Sequence, residues 1–346
     1  MQSVLQVLFS FLGIDVSKGM LEVFLCYSDS RKSRSSRFPN TKEGCLALMA
    51  WLGEDAHGCR VVMEATSRYH RLCERTLLGK CPIVELLNPR RARALSIGLG
   101  LSDKDDQVDA HVLAQAARLL QERDIAVPSV EAQDLRDFSR IIDQMKEDAG
   151  KYLKRLEGLS PESAAYQVSL KAAKELKALA AAQEKTWAEQ AALEPDIWRI
   201  YTLAKSVSSV GHVTARVVSV ELPGNLDKVS MRKIVGYAGL APRRHQSGDK
   251  SLPPAIYGGN PRLRTALFMA AMNSVFRTRR NLAFYQKLKD RTHISVKTPG
   301  GRHLKAITAV MRKMLCEVIA VIKRNEPWKK APPTRTHVPA SMPTAA

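Results

Sequence analysis

No two of the six cysteines, at positions 26, 45, 59, 73, 81 and 316, are spaced as C-x-x-C. That argues against a zinc ribbon or finger and leaves the thiols as small apolar fillers, reduced in a cytosolic setting. The eight histidines form no H-x-x-x-H pair or other ligand spacing. A phosphate-binding P-loop is missing, which argues against NTP hydrolysis. Aromatic residues are 6% of the chain and no RNP-like motif gathers them, so base stacking is not a dominant mode of recognition. No recognition helix or finger is evident either. Long hydrophobic runs are absent. The N-terminal run Val4 to Ile14 has no basic residue before it and no small-residue cleavage site after it. It is too short to span a bilayer, so neither a secretory signal nor a membrane partner is expected. It reads as a buried strand behind an N-terminal stub.

Acid is scarce in one part of the chain only. Residues 1–200 carry 28 Lys+Arg and 28 Asp+Glu, whereas residues 201–346 carry 26 Lys+Arg and 6 Asp+Glu, so the whole net charge of +20 lies in the C-terminal part. Basic charge spread over sequence that looks folded points to a polyanion, most simply nucleic acid. The remaining balance is ordinary for a globular protein, with 45% apolar and 25% charged residues. The length of 346 residues predicts two or three domains.

Residues 4–127 alternate strands and helices. Leu8–Val16 and Met20–Tyr27 read as consecutive strands around a Ser17-Lys18-Gly19 turn, with Ser35–Pro39 as a third. Lys42–Leu52 has helical spacing, Arg60–Ala65 is a short strand, Tyr69–Leu78 a helix and Pro82–Leu87 another strand. Asp105–Gln121 is a strong helix with Val108, Val112, Ala116 and Leu119 on one face. This order predicts a mixed sheet covered by helices. Leu135, Phe138, Ile142, Met145, Ala149, Tyr152 and Leu156 then repeat at spacings of three and four, a heptad seam. Gly158-Leu159-Ser160-Pro161 breaks it, and Lys171–Ala192 returns as a helix, which makes an antiparallel hairpin. Such a hairpin serves either an internal bundle or a dimer interface. Residues 201–326 are mostly helical and basic around a loop-rich stretch from Gly239 to Pro261. The tail from Pro327, with five prolines and no periodicity, is expected to be disordered. The predicted domains are therefore 1–127, 128–200 (a helical coiled-coil oligomerisation region), 201–326 and the tail 327–346.

Four carboxylates stand out by context. Asp15 and Glu64 close apolar strands, and Asp106 and Asp109 lie three apart on one helix face. A carboxylate ending a buried strand is costly unless paired, protonated or bound to metal. Oxygen-only ligands of this kind favour a hard cation such as Mg²⁺, and two such ions could clamp both oxygens of a phosphodiester displacement. The plain alternative is a pair of ordinary strand ends and a solvated helix start, with Asp103 or Asp105 near its cap.

Gly13-Ile14-Asp15-Val16-Ser17-Lys18, then Glu64-Ala65-Thr66 with Tyr69, then Lys104, Asp106, Asp109 and Ala110 occur in order at fitting distances. In these motifs the chain resembles the DEDD transposases of bacterial insertion sequences, the IS110 family, whose relatives include Piv-type DNA invertases. The resemblance continues through Gly236-Tyr237-Ala238-Gly239-Leu240-Ala241-Pro242-Arg243, Ser247-Gly248, and Gly259-Asn260 with Leu263-Arg264 and Ala266-Leu267, and so covers most of residues 12–325. It implies an RNase H-like, RuvC-like N-terminal domain in which Asp15, Glu64, Asp106 and Asp109 bind Mg²⁺, and a mostly helical basic C-terminal domain. It implies further that Ser247 is a nucleophile toward the DNA backbone, with the carboxylate-bound metals as its partners. A structured guide ("bridge") RNA pairing with target and donor DNA, a homodimer or tetramer, and a cytoplasmic place at the bacterial nucleoid are implied as well.

The residues themselves allow part of this. A serine hydroxyl needs a base or a metal to become a nucleophile, and a phosphoserine link would conserve the energy of the broken phosphodiester. Arg243, Arg244 and His245 just before Ser247 are candidates to hold phosphate, with Lys250, Arg262 and Arg264 as further nucleic-acid contacts. General backbone contacts, and a surface turn at Ser247-Gly248, are the plain alternatives. Val207 to Leu222 resembles the family's helix-hairpin-helix, but Ser208-Ser209-Val210-Gly211 stands where Pro-Gly-x-Gly is usual, and Ser67 replaces a glycine. The rival readings are a metal-dependent nuclease or resolvase attacking with water, an invertase working without guide RNA, and an inactive nucleic-acid-binding copy.

Overall fold

The computed structural model describes residues 9–29, 32–64, 69–101, 105–120, 129–223, 226–247, 250–291 and 299–329. The chain divides into two compact units, residues 1–127 and 128–346.

The first unit is a five-stranded sheet in the order β3-β2-β1-β4-β5, formed by β1 (Ser10–Val16), β2 (Met20–Tyr27), β3 (Arg34–Pro39), β4 (Cys59–Glu64) and β5 (Ile83–Leu87). The first three strands pair antiparallel, while β4 and β5 run parallel to β1. Alternation along the strands sorts the residues between two faces. Leu12, Ile14, Leu21, Val23, Val61 and Met63 pack with Cys45, Leu48 and Leu52 of α1 (Lys42–Leu52) and with Cys73 and Leu77 of α2 (His70–Leu77). Cys26, Cys45, Cys59, Cys73 and Cys81 are buried free thiols, which fits their reading as fillers. The other face carries Phe11, Val62 and Leu87, packed with Ala92 of α3 (Pro89–Gly98) and with Leu113, Ala116 and Ala117 of α4 (Asp106–Leu119).

In the second unit, α5 (Val130–Arg155) and α6 (Ala164–Ala192) pack as an antiparallel pair. Trp187 Nε1 donates to the Leu135 carbonyl at 3.0 Å while Lys146 reaches Glu184 at 2.6 Å, so the partners converge toward the connecting turn. Of the seam residues, Leu135, Ile142 and Ala149 are buried within the chain itself, while Leu156 at the end of the seam is only partly buried. Behind the hairpin follow α7 (Pro195–Ser206), α8 (His212–Glu221), α9 (Met231–Tyr237), α10 (Pro261–Arg277), α11 (Arg279–Arg291) and α12 (Pro299–Arg324). They share one core with the hairpin, centred on Val310, Met314, Leu315, Val318 and Ile322 of α12. Trp328 also packs there, its backbone N–H donating to Ser206 Oγ at 2.8 Å, so the folded chain continues past Pro327. The stretch from Gly239 to Pro261, expected as loop, contains an antiparallel ribbon of β6 (Arg243–Ser247) and β7 (Lys250–Ala255). Its polar, proline-bearing strands have low intrinsic β preference and suit an isolated two-stranded edge, which is why the sequence pattern hides it.

Candidate active site

Strand β1 places Asp15 one residue beyond Ile14, which is in register with Met63 of β4. Asp15 and Glu64 therefore stand level at the ends of neighbouring parallel strands. Alternation puts both on the face that carries α4. The helix lies unusually close there, because Gly13 has no side chain. A Cβ at position 13 would come within 2.0 Å of the Ala110 carbonyl oxygen and 2.2 Å of the Ala114 nitrogen. This contact sets the first turn of α4, with Asp106 and Asp109, beside the end of β1. Asp105 caps that turn, its side chain accepting from the Gln107 N–H at 3.2 Å. Carboxylates in a first turn are favoured by the helix dipole.

The far end of α4 is tied as well. Arg60, a buried residue of β4, donates to the Ala117 carbonyl at 3.0 Å and the Leu120 carbonyl at 2.6 Å, and pairs with Glu85 at 2.6 Å. The strand that ends in Glu64 thus also anchors the helix that carries Asp106 and Asp109.

Asp15 registers this crowding. Its pKa is raised from the ordinary carboxylate value to about 6, first by burial and then by the charges of Asp109, Asp106 and Glu64. The charges of the other three predicted carboxylates thus reach Asp15. Among the described residues no three potential ligands stand close enough together to share an ion. The donor set still fits a hard divalent cation by its chemistry: it is all oxygen, with Asp15, Glu64 and Asp109 partly buried and Asp106 exposed. Asp15, Glu64, Asp106 and Asp109 are the residues that would hold it. Beside the cap a cavity of about 380 Å³ opens, lined by Glu22, Phe24, Arg37, Asp105, Gln107 and His111 among others. Glu22 is neutralised by Arg37, and burial pushes the His111 pKa down, which favours its neutral form near pH 7.

In the second unit Ser247 is the last residue of β6 and is in register with Lys250, the first of β7. Both stand at the ribbon tip, with Arg243 at its base and Arg244 and His245 along β6. The base is closed by glycines. Gly239, Gly258 and Gly259 have φ of 72°, 72° and 70°, and a Cβ on Gly259 would lie 2.3 Å from the Gly239 nitrogen. Asn260 then caps α10 by accepting from the N–H groups of Arg262 and Leu263, and its Nδ2 donates to Glu221 at 2.8 Å. Arg262 pairs with Asp143 at 2.8 Å, and Arg264 donates to the Gly258 carbonyl. These two predicted nucleic-acid contacts are thus already engaged within the fold. Between α7 and α8, Ser209 adopts φ of 70° with its hydroxyl 3.1 Å from that of Thr278, so the turn keeps a left-handed residue without the usual glycine.

Residues 12–159 match a DEDD transposase model of the IS110 family, described as Transposase, and residues 201–286 match the model described as Transposase IS116/IS110/IS902 family. The chain belongs to the IS110 family of transposases. Two curated relatives, the pilin gene-inverting proteins of Moraxella lacunata and Moraxella bovis, are each 24% identical over 340 residues, covering 93% of this chain and 98% of theirs. The first IS110 match spans all four carboxylates and the second spans Ser247, Arg262 and Arg264. Among the described residues no helix is long and apolar enough to cross a membrane. Sequence reading overlooked α3 altogether, although Asn88-Pro89 is a strong helix-start signal, and it did not foresee that Gly13 and Arg60 position α4.

Proposed function

We propose that the protein is a DNA recombinase that mobilises an insertion sequence, with Asp15, Glu64, Asp106 and Asp109 as the magnesium ligands and Ser247 as the nucleophile. The observation that carries this reading is the placing of Asp15 and Glu64 level at the ends of β1 and β4, with the first turn of α4 and its Asp106 and Asp109 set beside β1 by the close contact at Gly13. The strand order, three antiparallel strands followed by two parallel ones, supports an RNase H-like description of the first unit.

Bound Mg²⁺, one ion or two, would supply Lewis-acid stabilisation of charge on the phosphate oxygens. Serine chemistry needs little else. The Ser247 Oγ forms a bond to phosphorus, one P–O bond of the DNA backbone breaks, and the departing oxygen leaves as a hydroxyl. The serine proton passes to solvent or a base, and an equivalent proton is returned from there to the departing oxygen. Attack by a hydroxyl of a second DNA end on the phosphoserine then releases the serine and restores the strand. Arg243, Arg244, His245 and Lys250, on the strands that carry Ser247 to the ribbon tip, are the cations suited to the phosphate.

Target choice falls to a guide RNA in this reading. The excess charge of the C-terminal part and the lack of a base-reading motif support a protein that holds backbones while pairing supplies sequence. A homodimer or tetramer would bring together the strands to be cut. A second reading is site-specific inversion without a guide; its inversion part is favoured by the near full-length likeness to the pilin gene-inverting proteins.

The test is expression of the gene with its native flanking DNA on a plasmid. Wild type should give a Mg²⁺-dependent protein–DNA species that survives denaturation, and Ser247→Ala should lose it while still binding DNA. Attachment that persists in Ser247→Ala would refute the serine. Free DNA ends with no attached protein would establish water as the nucleophile. Sequencing the RNA that copurifies decides between the guided reading, which expects one discrete flank-encoded species, and the unguided one.

A further inference from the structure

The first unit has almost no net charge: residues 1–127 contain 17 Lys+Arg and 15 Asp+Glu, a difference of +2. A cluster of four carboxylates repels a polyanion, and charges separated by more than about 8 Å are largely screened at physiological salt. A DNA strand brought to that cluster therefore needs cations close by. Two groups of three lie within four residues, one at 31–34 and one at Arg90, Arg91 and Arg93, and the fold decides where the second goes.

Helix α3 leaves β5 through Asn88, whose side chain caps it by accepting from the Arg90 N–H at 2.9 Å. Leu87, the last residue of β5, is in register with Glu64. Because β1, β4 and β5 are parallel, α3 starts at the sheet edge where Asp15 and Glu64 end. Neighbouring strands are about 4.8 Å apart, so β5 stands roughly 10 Å from β1. At about 3.4 Å of rise per nucleotide, a strand crossing that edge covers the interval in about three nucleotides. Ala92 and Leu95 face Val62, Leu87, Leu113, Ala116 and Ala117. This anchoring leaves Arg90, Arg91 and Arg93 exposed, and among the described residues no ion pair engages them. Their position brings the helix no benefit. Its first turn contains no acidic residue, and cations there oppose the helix dipole.

We propose that Arg90, Arg91 and Arg93 form a binding face for the phosphodiester backbone of the DNA strand lying at the carboxylate cluster. The choice of DNA as the ligand rests on the recombinase reading. The contact itself is electrostatic and independent of sequence.

The experiment measures binding of a short fluorescent DNA duplex to the full chain in EDTA, by anisotropy over a range of salt. Wild type is compared with Arg90→Ala/Arg91→Ala/Arg93→Ala. The control, Lys171→Ala/Lys174→Ala/Lys177→Ala, removes equal charge from exposed positions on α6. The α3 variant should lower the slope of log K against log salt by about 2 to 3, with the control changing it by less than about 1. Lysine at all three α3 positions should restore the slope, since a phosphate contact of this kind needs charge rather than the guanidinium fork. Equal slopes for the α3 and control variants would overturn the proposal, and so would a loss confined to RNA of the same length. No chemistry occurs in EDTA. Failure of the recombinase reading, seen as no Mg²⁺-dependent product from wild type, is thus a separate result.

Discussion

Replacing Asp15 with Asn should stabilise the metal-free protein at neutral pH. The wild-type carboxyl has its pKa raised to about 6 by burial and by Asp109, Asp106 and Glu64. A group whose acidic form is favoured by folding binds its proton more tightly in the native state than in the unfolded chain. Stability therefore declines as pH rises from about 4 through about 6, and the full cost is present above that. Two pKa units correspond to about 3 kcal/mol. Asp15 is only half-buried, and solvent screening reduces the usable figure to about 1 to 1.5 kcal/mol. Asn keeps the size and removes the charge. For a unit of this size that gain raises the melting temperature by about 3 to 6 °C at pH 7.5 in EDTA. At pH 4.5 wild-type Asp15 is mostly protonated and only about a third of the difference should remain. Scanning calorimetry at the two pH values makes the measurement, repeated with Mg²⁺. The cation should stabilise wild type more than the variant at pH 7.5. A variant no more stable than wild type at pH 7.5, or one whose advantage is equal at both pH values, would refute the upward shift at Asp15.

Two further substitutions probe how α4 is held. Gly13→Ala places a methyl group against the α4 backbone, which cannot yield as a side chain would, so a loss of about 3 kcal/mol or more and a weaker Mg²⁺ response are expected in the same melting assay. Arg60→Ala removes the ion pair with Glu85 and uncaps two carbonyls of α4; about 2 to 3 kcal/mol of destabilisation should follow, whereas a loss below about 1 kcal/mol would show that α4 does not depend on this anchor.

Much of the first unit could be read in advance because burial writes itself into strands with a period of two. Ile14 and Met63 are apolar because they face α1 and α2, and the acids that follow them mark where each strand meets solvent. The ordered motifs around Asp15, Glu64, Asp106 and Asp109 carried the family likeness. Helix α3 escaped notice since its arginines give it little apolar face; only Ala92 is buried. The ribbon of Ser247 escaped because two short polar strands have no hydrophobic alternation to display. The pairing of Arg262 with Asp143, 119 residues away, has no local signature either.

The residues by themselves determined the kinds of chemistry on offer: four carboxylates, a serine in basic sequence, and a charge excess confined to the C-terminal part. Spacing and periodicity are local properties and reach no further. Tertiary structure decided which of these groups act on one another. It did so through a missing Cβ at Gly13, which lets α4 approach β1 closely enough for the charges of Asp106 and Asp109 to reach Asp15. Close approach of two backbones depends on atoms far apart in sequence, so it is settled only when the helix lies on the sheet.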